Sequence, residues 1–224
     1  MPNIFIVIPA FNEEKNIAQT INDLLPLGYN LIVVNDGSND KTLEVVKNFP
    51  VTILNHEINR GQGASLATGT IYALSQATDL IIHFDADGQF LANELEGFIQ
   101  PLINKTHDVV LGTRFIQERK NNHMPWLKKY FIHPVSRLID YLFTGIKLSD
   151  AHCGLRAMNR LAAEKIVITQ DGMAHNTEIV AQIKIHHLRF IELPVTVIYK
   201  EFGQGIKGGL KIIKDLILNK FLLF

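Results

Sequence analysis

Apolar and polar positions alternate in blocks along the first half of the chain. Ile4, Phe5, Ile6, Val7, Ile8 and Pro9 form an unbroken apolar, β-branched run, the pattern of a strand covered on both faces. Asn12, Glu13 and Glu14 follow, and acidic residues suit the first turn of a helix. Ile17, Ile21, Leu24 and Leu25 then recur at helical spacing. The same rhythm predicts strands over 29–34, 51–54, 80–84 and 109–112, and helices over 41–48, 64–76 and 95–102. Up to Thr113 this is a β–α alternation, which implies an α/β fold with a mostly parallel central sheet flanked by helices. Ligands in such sheets bind at the carboxyl ends of the strands. That rule gathers residues 9–13, 35–40 and 85–89 on one rim.

The second half is less regular. Residues 117–124 are polar and charged and read as a loop, and 126–144 reads as a helix interrupted at Pro134. Residues 150–159 read as a glycine-containing turn carrying an arginine, 177–186 as a helix and 190–199 as a late strand. Four glycines between 203 and 209 predict flexibility.

Composition narrows the classes. With 224 residues and 47% apolar content, the chain can build the core of one large domain. Lys and Arg (22) balance Asp and Glu (22), which excludes a generally basic nucleic-acid footprint. Cys153 is the only cysteine, so an internal disulfide and a cysteine-based zinc cluster are excluded. The amino terminus lacks a basic n-region and a long apolar run, and no stretch of about 18 apolar residues suggests a spanning helix. The expected location is the cytoplasm.

Asp85-x-Asp87 is the sharpest chemical feature. Two carboxylates just past a buried strand need a cation or solvent, and oxygen ligands suit Mg²⁺ or Mn²⁺, with Gln89 offering another oxygen. The bland alternative is a solvated turn. Asp36 and Asp40 frame a second turn, where Asp36 could accept from a nucleobase or ribose and Asp40 could cap a helix. Asn59-Arg60-Gly61-Gln62-Gly63 sets a cation and two glycines before a helix, where backbone N–H groups could face an anion. It lacks the third glycine of a dinucleotide fingerprint and does not follow the first strand, which argues against a Rossmann dehydrogenase. The nine histidines show no His-Glu-x-x-His spacing; His186 and His187 read as surface residues, Glu178 as an exposed helix residue, and Asn104-Lys105-Thr106 as a chance sequon.

Val7-Ile8-Pro9-Ala10-Phe11-Asn12-Glu13-Glu14, Asn35-Asp36-Gly37-Ser38 and Phe84-Asp85-Ala86-Asp87-Gly88-Gln89 resemble family 2 glycosyltransferases. Gly112-Thr113-Arg114-Phe115 and Asp150-Ala151-His152-Cys153-Gly154-Leu155-Arg156 place the resemblance in the dolichyl-phosphate mannose and polyprenyl-phosphate glucose synthase branch. The resemblance spans residues 3–200. It implies a GT-A fold, an inverting, metal-dependent transfer of a hexose from a nucleotide-diphosphate sugar of the GDP-mannose or UDP-glucose type, and Mg²⁺ or Mn²⁺ as cofactor. It further implies that Pro9, Ala10, Glu13, Asp36, Gly63, Asp85 and Ala86 line the nucleotide-sugar site. Asp85, Asp87 and Gln89 would hold the metal. Arg114 would bind the acceptor phosphate, and Asp87, Asp150 and Arg156 would act at the reacting centre.

A polyprenyl phosphate acceptor is already an anion and needs no strong general base. A saccharide hydroxyl acceptor would need one, and Asp150 is the candidate, its plainer role being a loop ion pair with Arg156. The acceptor-side loop over 115–127 separates the two in principle. A nucleotidyltransferase or a silent nucleotide-binding module also fits an acidic rim, although Pro9-Ala10-Phe11-Asn12 offers no glycine-rich phosphate loop.

The expected catalytic domain covers 1–204, followed by an amphipathic helix over 205–224. On that helix Lys207, Lys211 and Lys214 share one face, and Leu210, Ile213, Ile217, Phe221 and Phe224 another. This pattern suits the membrane interface, peripheral at its inner face, or a small membrane-anchor protein, or packing on the chain's own domain.

Overall fold

Strand β1 (Ile4–Ala10) is buried along its whole length, as an unbroken apolar run demands when both faces are covered. Its side chains divide between two cores. Ile4, Ile6 and Ile8 enter one apolar layer with α1 (Ile17–Leu24), and Phe5 and Val7 enter the other. In this computed structural model, residues 2–114, 141, 144–150 and 152–198 are described. The expected loop over 117–124, nearly all of the helix expected over 126–144, the acceptor-side loop, the glycines of 203–209 and the amphipathic segment 205–224 lie outside them.

The chain continues through β2 (Asn30–Asp36), α2 (Thr42–Val46), β3 (Thr52–His56), α3 (Gln62–Ser75), β4 (Leu80–His83), α4 (Leu95–Ile103) and β5 (Val109–Thr113). After the 114–155 connection come β6 (Arg156–Asn159), α5 (Arg160–Lys165), α6 (His175–Ile185) and β7 (Phe190–Pro194). The strands form one sheet in the order β3-β2-β1-β4-β6-β5-β7. The β1–β2, β1–β4, β2–β3 and β5–β7 pairs are parallel, and β6 runs antiparallel to both β4 and β5. Helices α1 and α4 cover one face; α3, α5 and α6 cover the other. This is the mostly parallel, helix-flanked α/β sheet expected.

Two differences have physical reasons. Residues 150–159, expected as a turn, contain strand β6, with His83 opposite Arg156 and Ile82 opposite Ala157. Only Ala157 and Met158 carry apolar character between Arg156 and Asn159, too short a run to register as periodic. Among the described residues the expected strand over 190–199 closes at Pro194, after which pairing continues as Val195 N–H to Thr113 O and an isolated Phe90–Val197 bridge. Helix α5 was not anticipated, although Asn159 signals it: its Oδ1 accepts from Ala162 N–H at 2.8 Å, a side-chain N-cap. Among the described residues no helix is long and apolar enough to cross a membrane.

Candidate active site

The parallel strands end on one rim, so β1 delivers Ala10, β2 Asp36, β3 His56 and β5 Thr113 to the same edge, with Asp85 just past β4. Because β6 is antiparallel, it starts where β4 ends, and Arg156 arrives at that edge from the opposite direction. The topology thus sets a buried guanidinium beside the acidic turn.

Phe84 and Phe90 brace that turn by an edge-on ring contact at 5.9 Å. Within it, Asp87 Oδ1 accepts from the Gln89 backbone N–H at 3.0 Å. Asp85 Oδ1 accepts from Gln62 Nε2 at 2.8 Å. Gly154 makes room for the same carboxylate: a Cβ there would lie 2.0 Å from Asp85 Oδ2. Burial pushes the Asp85 carboxyl up to about 6, and Asp87 and Glu13 push the same way, while Arg156 and Arg114 oppose them. A desolvated acid beside a second acid is costly to ionise. Such a pair fits a hard divalent cation, and Mg²⁺ in particular takes one or two carboxylates and completes its shell with water and substrate phosphates. Among the described residues no group of three or more His, Cys, Asp or Glu could form an all-protein metal site.

The entry loops of the rim are laced together. Asn12 N–H donates to Ser38 Oγ at 3.0 Å, Glu13 N–H to Thr42 Oγ1 at 2.7 Å, and Glu14 N–H to Asp40 Oδ2 at 3.1 Å. Asp40 Oδ1 takes the Thr42 N–H at 2.9 Å, which closes the turn ahead of α2; the N-cap itself is Lys41, without a side-chain cap, so the capping role expected of Asp40 is not the one it fills. The Glu13 carboxylate accepts from Asn16 Nδ2 at 2.8 Å.

Several expected contact residues have other work. Pro9 and Ala10 are buried inside β1, and Ala10 belongs to the α1-side core, so they supply the end of a strand to the rim. Ala86 is likewise a core side chain, and its carbonyl accepts from Thr20 Oγ1 at 2.9 Å. Asp36 is 2% exposed. Its Oδ1 accepts from His56 Nδ1 at 2.7 Å and from Arg60 N–H at 3.0 Å, and its Oδ2 from Gly61 N–H at 2.7 Å. With these three partners the carboxylate ties down the β3–α3 loop.

The α3 amino terminus does not meet the expectation of an anion cradle. Gly63 N–H and Ala64 N–H both donate to the Asp171 carbonyl, at 2.8 and 3.3 Å. A Cβ on Gly63 would sit 2.0 Å from the Gln170 carbonyl oxygen, so this glycine is present for close backbone packing. Glu178, read as an ordinary surface residue, anchors the packed segment: its carboxylate accepts from the N–H groups of Thr169 and Gln170 and from the Thr169 hydroxyl.

On the other flank, Asp150 is paired with Arg114, where the sequence suggested Arg156. Arg114 Nε and Nη2 reach Asp150 Oδ2 and Oδ1 at 2.6 and 2.8 Å, and the Arg114 backbone N–H adds a third bond at 3.2 Å. Glu192 of β7 fixes the loop below by accepting from Ser149 N–H, Ser149 Oγ and Asp150 N–H. The Asp150 carboxylate is 5% exposed, and both of its oxygens are engaged by the Arg114 fork. Arg156 is 2% exposed; its Nη2 donates to the Cys153 carbonyl at 2.8 Å and to Asn176 Oδ1. Its charge helps keep two buried neighbours neutral. Burial first, then Arg156, lowers His175 to about 3, and the same causes hold His83 well below its ordinary value. Burial raises the Cys153 thiol to about 12, so it is an inert core group.

An acidic pair at the carboxyl edge of a mostly parallel sheet, with Arg156 on the neighbouring strand β6 and Arg114 just past β5, belongs to a GT-A-like α/β protein. The sequence model of Glycosyl transferase family 2 matches residues 5–167. The chain belongs to glycosyltransferase family 2. A UDP-N-acetylglucosamine–dolichyl-phosphate N-acetylglucosaminyltransferase of Methanococcus voltae is 31% identical over 97% of this chain and 96% of its own length. An uncharacterised protein of Methanocaldococcus jannaschii is 37% identical over 97% of this chain and 92% of its own. Among solved structures, glucosyl-3-phosphoglycerate synthase of Mycobacterium tuberculosis in complex with phosphoglyceric acid superposes with a TM-score of 0.74 at 15% identity, covering 96% of this chain and 79% of the other. At that identity the likeness concerns the fold. Family membership makes the protein a glycosyltransferase and sets aside the nucleotidyltransferase and silent-module readings.

Proposed function

We propose that this glycosyltransferase moves a hexose-type sugar from a nucleoside-diphosphate sugar to a polyprenyl or dolichyl phosphate at the cytoplasmic face of a membrane, with inversion at the anomeric carbon. The observation that carries the reading is the Asp85–Asp87 pair, one member desolvated, facing Arg114 and Arg156. Asp85 and Asp87 would hold Mg²⁺ or Mn²⁺, which when bound offsets the charge that develops on the departing diphosphate. Gln89 joins Asp87 through its backbone N–H and so steadies the turn that carries the pair.

In the transfer, an acceptor phosphate oxygen forms a bond to the anomeric carbon as the bond from that carbon to the diphosphate oxygen breaks. The electron pair leaves with the nucleoside diphosphate, and no proton needs to move. The state of Asp150 supports an acceptor of this type. Its carboxylate is committed to Arg114, whereas a hydroxyl acceptor would need a base within hydrogen-bond reach of its proton. Pairing with Asp150 holds the Arg114 guanidinium in place, where it would meet an anionic acceptor, and buried Arg156 adds positive field. The relative from Methanococcus voltae, whose name includes a dolichyl-phosphate acceptor, aligns over nearly the whole chain, which supports the lipid.

The test is transfer of radiolabelled sugar from a panel of UDP- and GDP-sugars, UDP-N-acetylglucosamine included, to a polyprenyl phosphate in detergent with Mn²⁺ or Mg²⁺. The expected product partitions into organic solvent, is labile to mild acid and disappears with EDTA. Label passing only to water-soluble saccharides would overturn the lipid acceptor, and full activity in EDTA would overturn the metal.

A further inference from the structure

We propose that Gln62 is a positioning residue that sets the orientation of the Asp85 carboxylate for divalent metal, and that residues 60–64 are a double-pinned backbone clamp serving it. The inference rests on the reading of Asp85 and Asp87 as metal ligands.

The geometry has three parts. Gln62 Nε2 donates to Asp85 Oδ1 at 2.8 Å. A carboxylate with one oxygen so engaged no longer spins freely about its last torsion, and its other oxygen points in a set direction. Gly154 gives the carboxylate the space in which it lies, with Oδ2 standing where a side chain on residue 154 would begin. Finally, the backbone on each side of Gln62 is fixed from a different quarter of the molecule. Arg60 N–H and Gly61 N–H bind the buried Asp36 carboxylate, which His56 holds in turn. Gly63 N–H and Ala64 N–H bind the Asp171 carbonyl, in the segment that Glu178 anchors.

Two consecutive residues tied on one side and two on the other fix the direction in which the Gln62 side chain leaves the backbone. The residue type suits the task. An amide donates to a carboxylate without bringing a positive charge that would oppose a cation, as lysine would, or a further acid that would compete for it. Partners that orient a metal ligand in this way are worth roughly 10–100-fold in metal affinity. The motif that the sequence offered as an anion cradle is thus a support for the metal-binding acid.

The test compares wild type with Gln62→Met, which keeps length and bulk but loses the donor, and with Gln62→Ala. Three quantities are read: Mn²⁺ affinity with UDP or GDP present, from the electron paramagnetic resonance signal of free Mn²⁺; nucleotide affinity in EDTA; and the melting temperature. The expected result for both variants is Mn²⁺ binding weakened by about tenfold or more, with nucleotide binding in EDTA and melting temperature unchanged. Wild-type Mn²⁺ affinity in Gln62→Met would overturn the inference while leaving the metal site intact. A fall in melting temperature accompanied by equal losses of nucleotide and metal binding would also overturn it, marking Gln62 as a structural residue only. Wild type that binds nucleotide but no Mn²⁺ would overturn the metal reading itself, and the inference with it.

Discussion

Gly154→Ala is the sharpest single-atom perturbation of this site. The new methyl would stand 2.0 Å from Asp85 Oδ2, 2.5 Å from Cγ and 2.6 Å from Oδ1. Non-bonded heavy atoms settle at about 3.5–4.0 Å, so the carboxylate or the 152–155 backbone must retreat by about 1 Å or more. Leu155 is fully buried and Arg156 is locked in β6, which leaves the acid as the part that moves. Its retreat breaks the 2.8 Å bond from Gln62 and re-aims the metal-binding oxygen. Overpacking of this sort costs about 1–3 kcal/mol, with the lower end expected because a side chain yields. The expected drop in melting temperature is then about 2–4 °C. Displacement of a reacting group by about 1 Å costs on the order of 100-fold in rate, so activity should fall far more than stability. Initial rates at saturating donor across a Mn²⁺ titration, with thermal unfolding alongside, read both quantities. Gly154→Ala with wild-type rate and metal dependence would refute the placement of Asp85 against this glycine. Loss of activity only in proportion to unfolded protein would refute the separation of the two effects.

Further expectations follow from the same contacts. Asp150→Asn should cost about 1.5–3 kcal/mol of stability, because it strips the charge from a bidentate pair, and should raise KM for the lipid acceptor more than for the donor; urea unfolding and steady-state kinetics measure the two. His83 and His175 are held neutral, His175 down to about 3, so each lets the unfolded chain bind a proton that the folded chain refuses. Stability is full above pH ~6.5 and should fall by about 1.4 kcal/mol per pH unit per histidine as the pH drops below it, less the opposing contribution of Asp85, which in metal-free protein takes up a proton near pH 6; melting temperature against pH, with and without Mn²⁺, reads the net slope. Gly97→Ala, with nothing within 4 Å of the added atom and an ordinary helical backbone, should stabilise by about 0.5–1 kcal/mol in chemical denaturation without touching activity.

How far the sequence reached depended on whether a residue's role was local. β1 to β5 were legible because each is a short apolar run closed by turn chemistry, and apolar pattern is a local property. β6 was not, since its burial comes from insertion between β4 and β5, each far away in sequence. A strand that enters a parallel sheet backwards, led by an arginine and ended by an asparagine, carries no periodic signature. Yet this strand brings Arg156 to the acidic turn, so the least legible element supplies a positive charge at the rim.

The site shows the same division. Asp85 and Asp87 could be singled out because two carboxylates after a buried strand are costly without a purpose, which residue type and position alone reveal. Asp36, Gly63 and Ala86 entered the expected nucleotide-sugar site through the family resemblance, and in the structure each has contacts within the scaffold. The deciding facts are backbone facts: the N–H groups of residues 60, 61, 63 and 64 are already bonded, and a side-chain alphabet does not display them. Glycine was the one visible trace. Gly63 and Gly154 each mark a place where an atom from elsewhere, a carbonyl in one case and the Asp85 carboxylate in the other, occupies the volume of a missing side chain. A glycine beside a motif therefore has two physical explanations, a backbone opened to a ligand or a backbone pressed against its own fold. Only the second is met at Gly63 and Gly154, and it turns both glycines into determinants of where the acid points.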